Sequence, residues 1–383
     1  MTTRAPVRVA FAKPSIGEEE IAAVTATLRS GWIAAGPRTA ELEARFAEQT
    51  GAKHAVATSS CTGALHIAYT MLGVDGGEVI LPTHTFAATA NAAIHAGARP
   101  VFVDVRDADL HVDPEAVERA ITRETKAIVA MHYAGLPCDM EPLLDVAKRR
   151  GLPILEDAAH AIGTFWQGKA AGTIGEAGCF SFYANKNFTT VEGGMLTTGR
   201  DDFAARARIL RLQGMTRDAF RRDEAASFRY DIVEAGFKYP MNDVLAAIGV
   251  EQLKKLPAWQ AHRATLADRY HAELEGVPGL RLPARAAAGD VHGHHLFVVR
   301  IDRKNVGRDR LGLHLREVGI ETSVHFVPLH LHPYFQKAWG CREGQFPVAE
   351  RAFEEILSLP MHAGMTEDDV RLVASEIRRA LTR

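Results

Sequence analysis

Apolar residues recur along this chain in two rhythms, a helical one and a short, strand-like one, and their order predicts the architecture. Ser15-Ile16-Gly17-Glu18 has capping-box spacing, and Ile21, Val24 and Leu28 then recur at helical intervals up to Gly31, a C-terminal stop. A second helix is expected after Thr39, with Leu42 and Phe46 on one face and Gly51 at its end. Both precede the first strand, so they either pack on the sheet or reach toward another subunit. From Lys53 onward the pattern becomes repeated α/β: the run His54–Thr58, a polar Ser59-Ser60-Cys61-Thr62-Gly63 turn, then a helix through Leu65, Ala68 and Leu72. Further short apolar runs at 79–81, 100–103, 127–130, 153–155 and 178–182, most separated by helical segments, predict a largely parallel sheet covered on both faces.

The second half reads differently. A long helix over 242–256 carries Val244, Leu245, Ile248, Leu253 and Leu256 as its stripe, and Pro257 is expected to close it. A helix near 259–274, an alternating strand near 295–301, a helix near 308–318 and an apolar run at 321–327 follow. The last helix starts at Thr366 and places Val370, Val373 and Ile377 on one face. The domain boundary is expected near 250–258, giving a large domain over 1–254 and a smaller one over 255–383. No internal repeat or low-complexity tract is visible.

Composition narrows the function classes. With 383 residues, 47% hydrophobic and 24% charged, the chain is an ordinary globular sequence with enough length for about two to three domains. Forty-five Lys+Arg against 47 Asp+Glu leave a formal charge of −2, so neither nucleic acid nor an anionic membrane is an expected partner. The basic cluster at 217–222 is broken by Asp218 and followed by Asp223, and reads as solvated surface. Cys61, Cys138, Cys179 and Cys341 are scattered without a CxxC pair, which fits a reducing cytoplasm. His292, His294 and His295, or His330 and His332, invite a metal reading, but HEXXH is absent and no metal is expected. The N-terminus has no apolar core of signal-peptide length and no run approaches the ~20 residues of a membrane span, so a cytoplasmic location is expected.

Candidate chemistry sits at strand ends, where open α/β sheets bind ligands. The 178–182 run ends in a polar loop carrying Lys186 between Asn185 and Asn187. Phe86 follows the 79–81 run, and Asp157 and His160 follow the 153–155 run. The Ser59–Gly63 turn can cradle an anion at a helix N-terminus. Taken singly, each has a plain structural explanation: a solvated lysine, a core phenylalanine, a capping aspartate, an ordinary N-cap. Taken together they are an amine, a carboxylate, an aromatic face and an anion loop, which are the four things pyridoxal phosphate needs. Neither GxGxxG nor GxxxxGK[ST] is present, so common nucleotide-binding alternatives lose support.

The order and spacing of longer motifs resemble the DegT/DnrJ/EryC1/StrS family of sugar aminotransferases. They include Ser30-Gly31-Trp32-Ile33 with Gly36-Pro37, SSCTGAL at 59–65, the Pro82 to Thr89 stretch, EDAAHA at 156–161, FSF with Lys186-Asn187, and EGG at 192–194. They continue through AAIG and QLKKL at 246–256, HPYF at 332–335, and LSLP with MTEDDV at 357–370. The resemblance implies the fold-type I architecture, α/β, with a mostly parallel seven-stranded sheet in a large cofactor domain and a smaller C-terminal α+β domain. It implies that Lys186 forms the Schiff base with pyridoxal phosphate and that Asp157 faces the ring nitrogen. Phe86 would stack on the ring, and His160, where many relatives have glutamine, would approach the phenolic oxygen. Cys61 through its backbone, with Thr62 and Ser181 through hydroxyls, would hold the phosphate. Some relatives that dehydrate carry histidine at the lysine position, so Lys186 favours transamination.

Pro240 stands where many relatives have an asparagine that reaches the partner subunit's cofactor phosphate, and proline cannot make that contact. Asn242 is the candidate replacement. The activity implied is transfer of an amino group from an amino acid, glutamate first, to a 4-keto or 3-keto sugar linked to a nucleoside diphosphate. Lys238 and His325 are candidates for substrate contact. A keto-cyclitol substrate is the nearest alternative, and a non-catalytic regulator that kept the fold is the alternative of another class. A homodimer with shared active sites is also implied.

Overall fold

The computed structural model describes residues 6–216, 229–304 and 306–382, so the basic cluster at 217–222 lies outside the described residues. Seven strands make the central sheet: β1 (His54–Thr58), β2 (Glu78–Pro82), β3 (Arg99–Val103), β4 (Thr125–Met131), β5 (Ile154–Asp157), β6 (Ala177–Ser181) and β7 (Gly194–Thr198). Their order is β1-β7-β6-β5-β4-β2-β3. Neighbours are parallel except at β7, which runs antiparallel to both β1 and β6.

Alternation along the strands sends side chains to two faces. Val56, Val79, Leu81, Ala127, Val129 and Cys179 pack with α3 (Cys61–Leu72), α4 (Ala87–His95) and α7 (Asp201–Leu210). On the opposite face Ala55, Ala57, Phe180 and Phe182 meet Leu42 and Phe46 of α2 (Pro37–Thr50). Ile80, Ile128 and Ala130 meet α5 (Pro114–Ala120) and α6 (Met140–Arg150) on that side. Both faces are therefore covered, which is why these strands read as continuous apolar runs.

Helix α1 (Glu18–Ser30) ends at Gly31 in the left-handed region, φ 78°, as expected. Its N-cap is Gly17 rather than Ser15, and Glu20 accepts from the Gly17 N–H at 2.7 Å. The apolar stripe of this helix faces outward, with Ile21 and Leu28 exposed. The inward face instead carries buried Glu20, which accepts from Gln252 and Lys255, both at 2.8 Å.

The expected stop at Pro257 is not found. Helix α8 (Asp243–Leu274) runs straight through it. Proline there removes one hydrogen bond to the Leu253 carbonyl, a penalty of about 3 kcal/mol in an exposed helix. Packing on both sides outweighs it: Leu253 and Leu256 are buried in the α2 cluster, and Leu266, Tyr270 and Leu274 in a second cluster. That second cluster lies around an antiparallel sheet of β8 (Leu280–Arg281), β9 (Phe297–Ile301) and β10 (Ile356–Leu359), with α9 (Arg308–Glu317) and α12 (Glu367–Leu381). The shorter helices α10 (Pro333–Trp339) and α11 (Pro347–Glu355) lie between α9 and β10 in the chain. The run at 321–327 forms a single bridge, Ser323 to Ser358. Residue Val9 crosses back to pair with Ile320 and joins the second cluster. We propose that the domains divide within α8 close to Pro257, where its packing changes from one cluster to the other.

Candidate active site

The sheet brings the connections after β1, β2, β5 and β6 to one edge. Phe86 is the N-cap of α4 just beyond β2, Asp157 ends β5, and Ser181 ends β6. Lys186 follows in a turn whose N–H bonds to the Tyr183 carbonyl at 3.0 Å. Cys61 and Thr62 open α3 directly after β1. A cavity of about 360 Å³ is lined by Cys61, Thr62, Phe86, Asp157, His160, Ser181, Lys186 and His325. Eight of the ten expected site residues therefore meet there. Lys238 does not: it is exposed and its backbone bridges to Leu212. Asn242 does not either, and its Oδ1 caps α8 by accepting from the Leu245 N–H at 3.0 Å.

The start of α3 owes its shape to Gly194. This residue pairs in register with Thr58 on one side and Ser181 on the other, so three strands close on the turn. A Cβ on Gly194 would lie 2.4 Å from the Ser60 carbonyl carbon and 2.5 Å from the Cys61 nitrogen, closer than any side chain tolerates. The Ser60 hydroxyl accepts from the Gly63 N–H at 3.0 Å and fixes the first turn. First-turn N–H groups have no acceptor within their helix and carry its positive end, so an anion here meets ready donors.

The adjacent carboxylates of Glu156 and Asp157 point to opposite faces of β5. Glu156 is fully buried and accepts from His132 Nε2 (2.9 Å) and from the N–H groups of Gly172, Ile174 and Gly175 (2.7, 2.7 and 2.6 Å). It ties down a loop. Asp157 opens onto the cavity, its Oδ2 accepting from the Thr89 hydroxyl at 2.6 Å and its Oδ1 from the Ala159 N–H at 3.1 Å. Burial raises its pKa, against the pull of those two donors and of Lys186.

Lys186 is shifted the other way. Burial lowers its pKa to about 8, opposed by Cys61 and Asp157. About a tenth of such an amine is free base at pH 7. Its Nζ lies 3.4 Å from His295 Nε2. Three imidazoles surround this region, and burial followed by the positive charge of Lys186 depresses all of them, His325 to about 4 and His160 and His295 well below the ordinary value. His160 Nδ1 accepts from the Ala134 N–H at 3.3 Å, which leaves its proton on Nε2. His325 Nδ1 is 2.9 Å from the Ser358 hydroxyl, and its ring stacks on Phe11.

These residues fit pyridoxal phosphate. Phe86 is 59% exposed at the cavity wall, an uncovered aromatic face suited to stacking. Asp157 supplies a buried carboxylate for a ring cation, Lys186 an amine, and the α3 turn an anion site. Several participants were not singled out from sequence: Thr89 behind Asp157, Asn187 and His295 behind Lys186, and Phe326, whose ring lies 5.7 Å from Phe86. Asn187 lies within the motif that carries Lys186. His295 had only its place in a histidine-rich stretch, whose other members His292 and His294 stack on each other with centroids 4.2 Å apart. Among the described residues no group of three or more His, Cys, Asp or Glu side chains could hold a metal ion, and no helix is long and apolar enough to cross a membrane.

The chain is similar to known proteins over nearly all of its length. A model of the DegT/DnrJ/EryC1/StrS aminotransferase family matches residues 14–378. SpsC, a spore coat polysaccharide biosynthesis protein of Bacillus subtilis, is 44% identical over 373 residues, 96% of each chain. Spr1654 of Streptococcus pneumoniae, assigned provisionally as a sugar aminotransferase, superposes in its PMP form with a TM-score of 0.93 at 32% identity, covering 98% of this chain and 99% of that one. Its PLP form gives 0.91, also at 32% identity, covering 99% of each chain. DesI, solved in the presence of its TDP-sugar product, gives 0.87 at 32% identity, covering 99% of this chain and 93% of the other. With the fold, the cavity and these similarities in agreement, the chain belongs to the DegT/DnrJ/EryC1/StrS aminotransferase family and is a sugar aminotransferase dependent on pyridoxal phosphate.

Proposed function

We propose that this enzyme moves an amino group from glutamate to a keto sugar carried on a nucleoside diphosphate, with the 4-keto position favoured over the 3-keto. The observation that carries the reading is the meeting, in one cavity, of the Lys186 amine, the Asp157 carboxylate, the exposed Phe86 ring and the α3 N-terminus. The nucleotide-linked class is supported by DesI and its TDP-sugar product.

When bound, pyridoxal phosphate supplies the electron sink that makes the donor's α-proton acidic. The chain's own groups do the rest. Lys186 Nζ would carry protons between substrate and cofactor, passing the donor's α-proton on to the cofactor in the first half-reaction and, running in reverse, delivering a proton from it to the acceptor sugar's carbon in the second. Asp157, a buried carboxylate on the cavity wall, would favour the protonated state of the ring nitrogen. The Nε2–H of His160 is a donor for the phenolic oxygen. The first turn of α3, with the hydroxyls of Thr62 and Ser181, holds the phosphate. His325 lines the cavity and can meet the sugar.

A homodimer with shared sites completes this proposal. Among the described residues no arginine lines the cavity, so the charges of glutamate and of a diphosphate have few partners within one chain. Lys238 and Asn242 lie outside the cavity of their own chain and are proposed to act across the subunit contact.

The test is to load the enzyme with the aminated cofactor and add keto acceptors, following return of the lysine-linked absorption band. Nucleotide-linked 4-keto sugars are expected to restore the band, and the Lys186→Ala variant to form no band that borohydride can fix. Turnover with a keto-inositol but with no nucleotide-linked sugar would move the assignment to cyclitols. Full activity in Lys186→Ala would remove the catalytic reading itself.

A further inference from the structure

Behind Lys186 lies a chain of hydrogen bonds whose direction can be derived from its far end. The Ile162 carbonyl can only accept, so the group of Gln260 that meets it at 3.1 Å is the amide nitrogen, and Gln260 Oε1 faces the other way. Asn187 Nδ2 lies 3.1 Å from that oxygen and 2.6 Å from the Gly293 carbonyl. Both partners only accept, so an Asn187 amide turned the other way would set oxygen against oxygen. Its Oδ1 therefore faces His295 Nδ1, at 3.1 Å. A carbonyl oxygen cannot donate, and so Nδ1 carries the hydrogen. A neutral imidazole has only one, which leaves a lone pair on Nε2, aimed at Lys186 Nζ 3.4 Å away.

We propose that His295 and Asn187 are a positioning pair for Lys186: Asn187 fixes the tautomer of His295, and His295 presents a lone pair of fixed direction to Nζ. Every link then donates away from the cavity, from Lys186 to His295, Asn187, Gln260 and finally the Ile162 carbonyl. The inference rests on the reading that Lys186 is the working amine. Once Nζ has taken a proton, the resulting ammonium has an acceptor that orients it without removing the proton, because burial and Lys186 itself keep His295 from protonating. The proton is not lost to His295 and stays on the amine that must deliver it. An aspartate at position 187 would instead favour the imidazolium and supply a competing proton site, which accounts physically for a neutral amide there.

The placement of the pair is well supported. Asn187 and His295 are both 5% exposed. Arg263 donates to the His294 carbonyl at 3.1 Å and to the Met361 carbonyl at 3.0 Å, and the Leu296 N–H bonds to the Ala134 carbonyl at 3.1 Å, so the backbone on each side of His295 is held. His160 lies beside His295, with ring centroids 4.4 Å apart, and has the opposite tautomer. Two adjacent imidazoles thus present one acceptor, toward Lys186, and one donor. The other titratable groups around the cavity are Asp157, Cys61, Tyr183, Glu192 and His325.

The test needs no turnover. Limited reductive methylation of the cofactor-free protein with 13C-formaldehyde labels Lys186, its resonance is assigned by its absence in Lys186→Ala, and its pH titration is read by NMR. The dimethylammonium keeps one N–H to donate. His295→Phe removes the acceptor and is expected to lower the midpoint by about one pH unit, since the charged form loses its partner. His295→Gln, which can turn an amide oxygen toward Nζ, should stay within about 0.3 unit of the native protein. Asn187→Ala frees the tautomer and should shift the midpoint in the same direction as His295→Phe. Because Asn187 acts through His295, the double variant should shift no further than His295→Phe alone. An unshifted midpoint in His295→Phe, or additive shifts in the double variant, overturns the proposal while leaving the assignment of Lys186 intact. Activity in Lys186→Ala would instead overturn that assignment, whatever the midpoints.

Discussion

Lys186 is a strained solution in the cofactor-free chain, and the strain has a pH signature. Its pKa is about 8 in the folded protein, against an ordinary value of 10.5 that the unfolded chain regains. Between these values the unfolded state binds more protons than the folded one, so stability must rise with pH across that window. Below pH 8 both states carry the charge and the penalty of burying it is fully present. Lys186→Met is therefore expected to stabilise the cofactor-free protein at pH 7, by on the order of 1–3 kcal/mol, and to lose most of that advantage by pH 10.5. Urea unfolding of both proteins at the two pH values measures this. A variant no more stable than the parent at pH 7 would show that the amine is adequately solvated.

Strands and helix ends made much of the site legible, because their signals are local. A short apolar run ending at a polar residue marked the edge where Asp157 and Lys186 lie, and Gly31, Gly51 and Thr366 stop or start their helices where expected. What the sequence withheld depends on contacts far along the chain. Pro257 reads as a stop until two separate clusters hold α8 on either side of it. Thr89 reads as an ordinary α4 residue until Asp157, 68 positions away, accepts its hydrogen bond. His295 gains a role only because a loop of the second cluster's sheet returns to the lysine. Asn242 shows the same limit at one helix end. Capping α8 is a sufficient structural reason for it, while the proposed contact with the partner's phosphate needs its amide donor as well. Asn242→Asp separates the two, since a carboxylate caps at least as well but repels phosphate. Thermal stability is expected to be unchanged and affinity for pyridoxal phosphate to fall more than about tenfold. Equal affinity by equilibrium dialysis would leave Asn242 as a cap alone.

For the whole molecule the decisive surface is the outward face of α1, because helical rhythm in a sequence marks an apolar stripe without fixing which way it faces. Ile21 and Leu28, two turns apart, are 51% and 54% exposed, and Ile16 and Ile33 extend the apolar strip at either end. The buried side of the same helix is polar and is satisfied by Gln252 and Lys255 of α8. An amphipathic helix that seats its polar side inward leaves its apolar side for another surface. The proposed homodimer supplies one, and it would bring a second Lys238 and Asn242 within reach of a cavity that lacks arginine. Ile21→Glu with Leu28→Glu places four like charges on a two-fold contact and is expected to yield monomers by analytical ultracentrifugation, with weakened cofactor binding but an unchanged helical circular dichroism signal. The paired loss is the informative result. Monomers that bind pyridoxal phosphate as tightly as the parent would mean that the site is complete within one chain, and a parent protein that is itself monomeric would remove the shared site altogether.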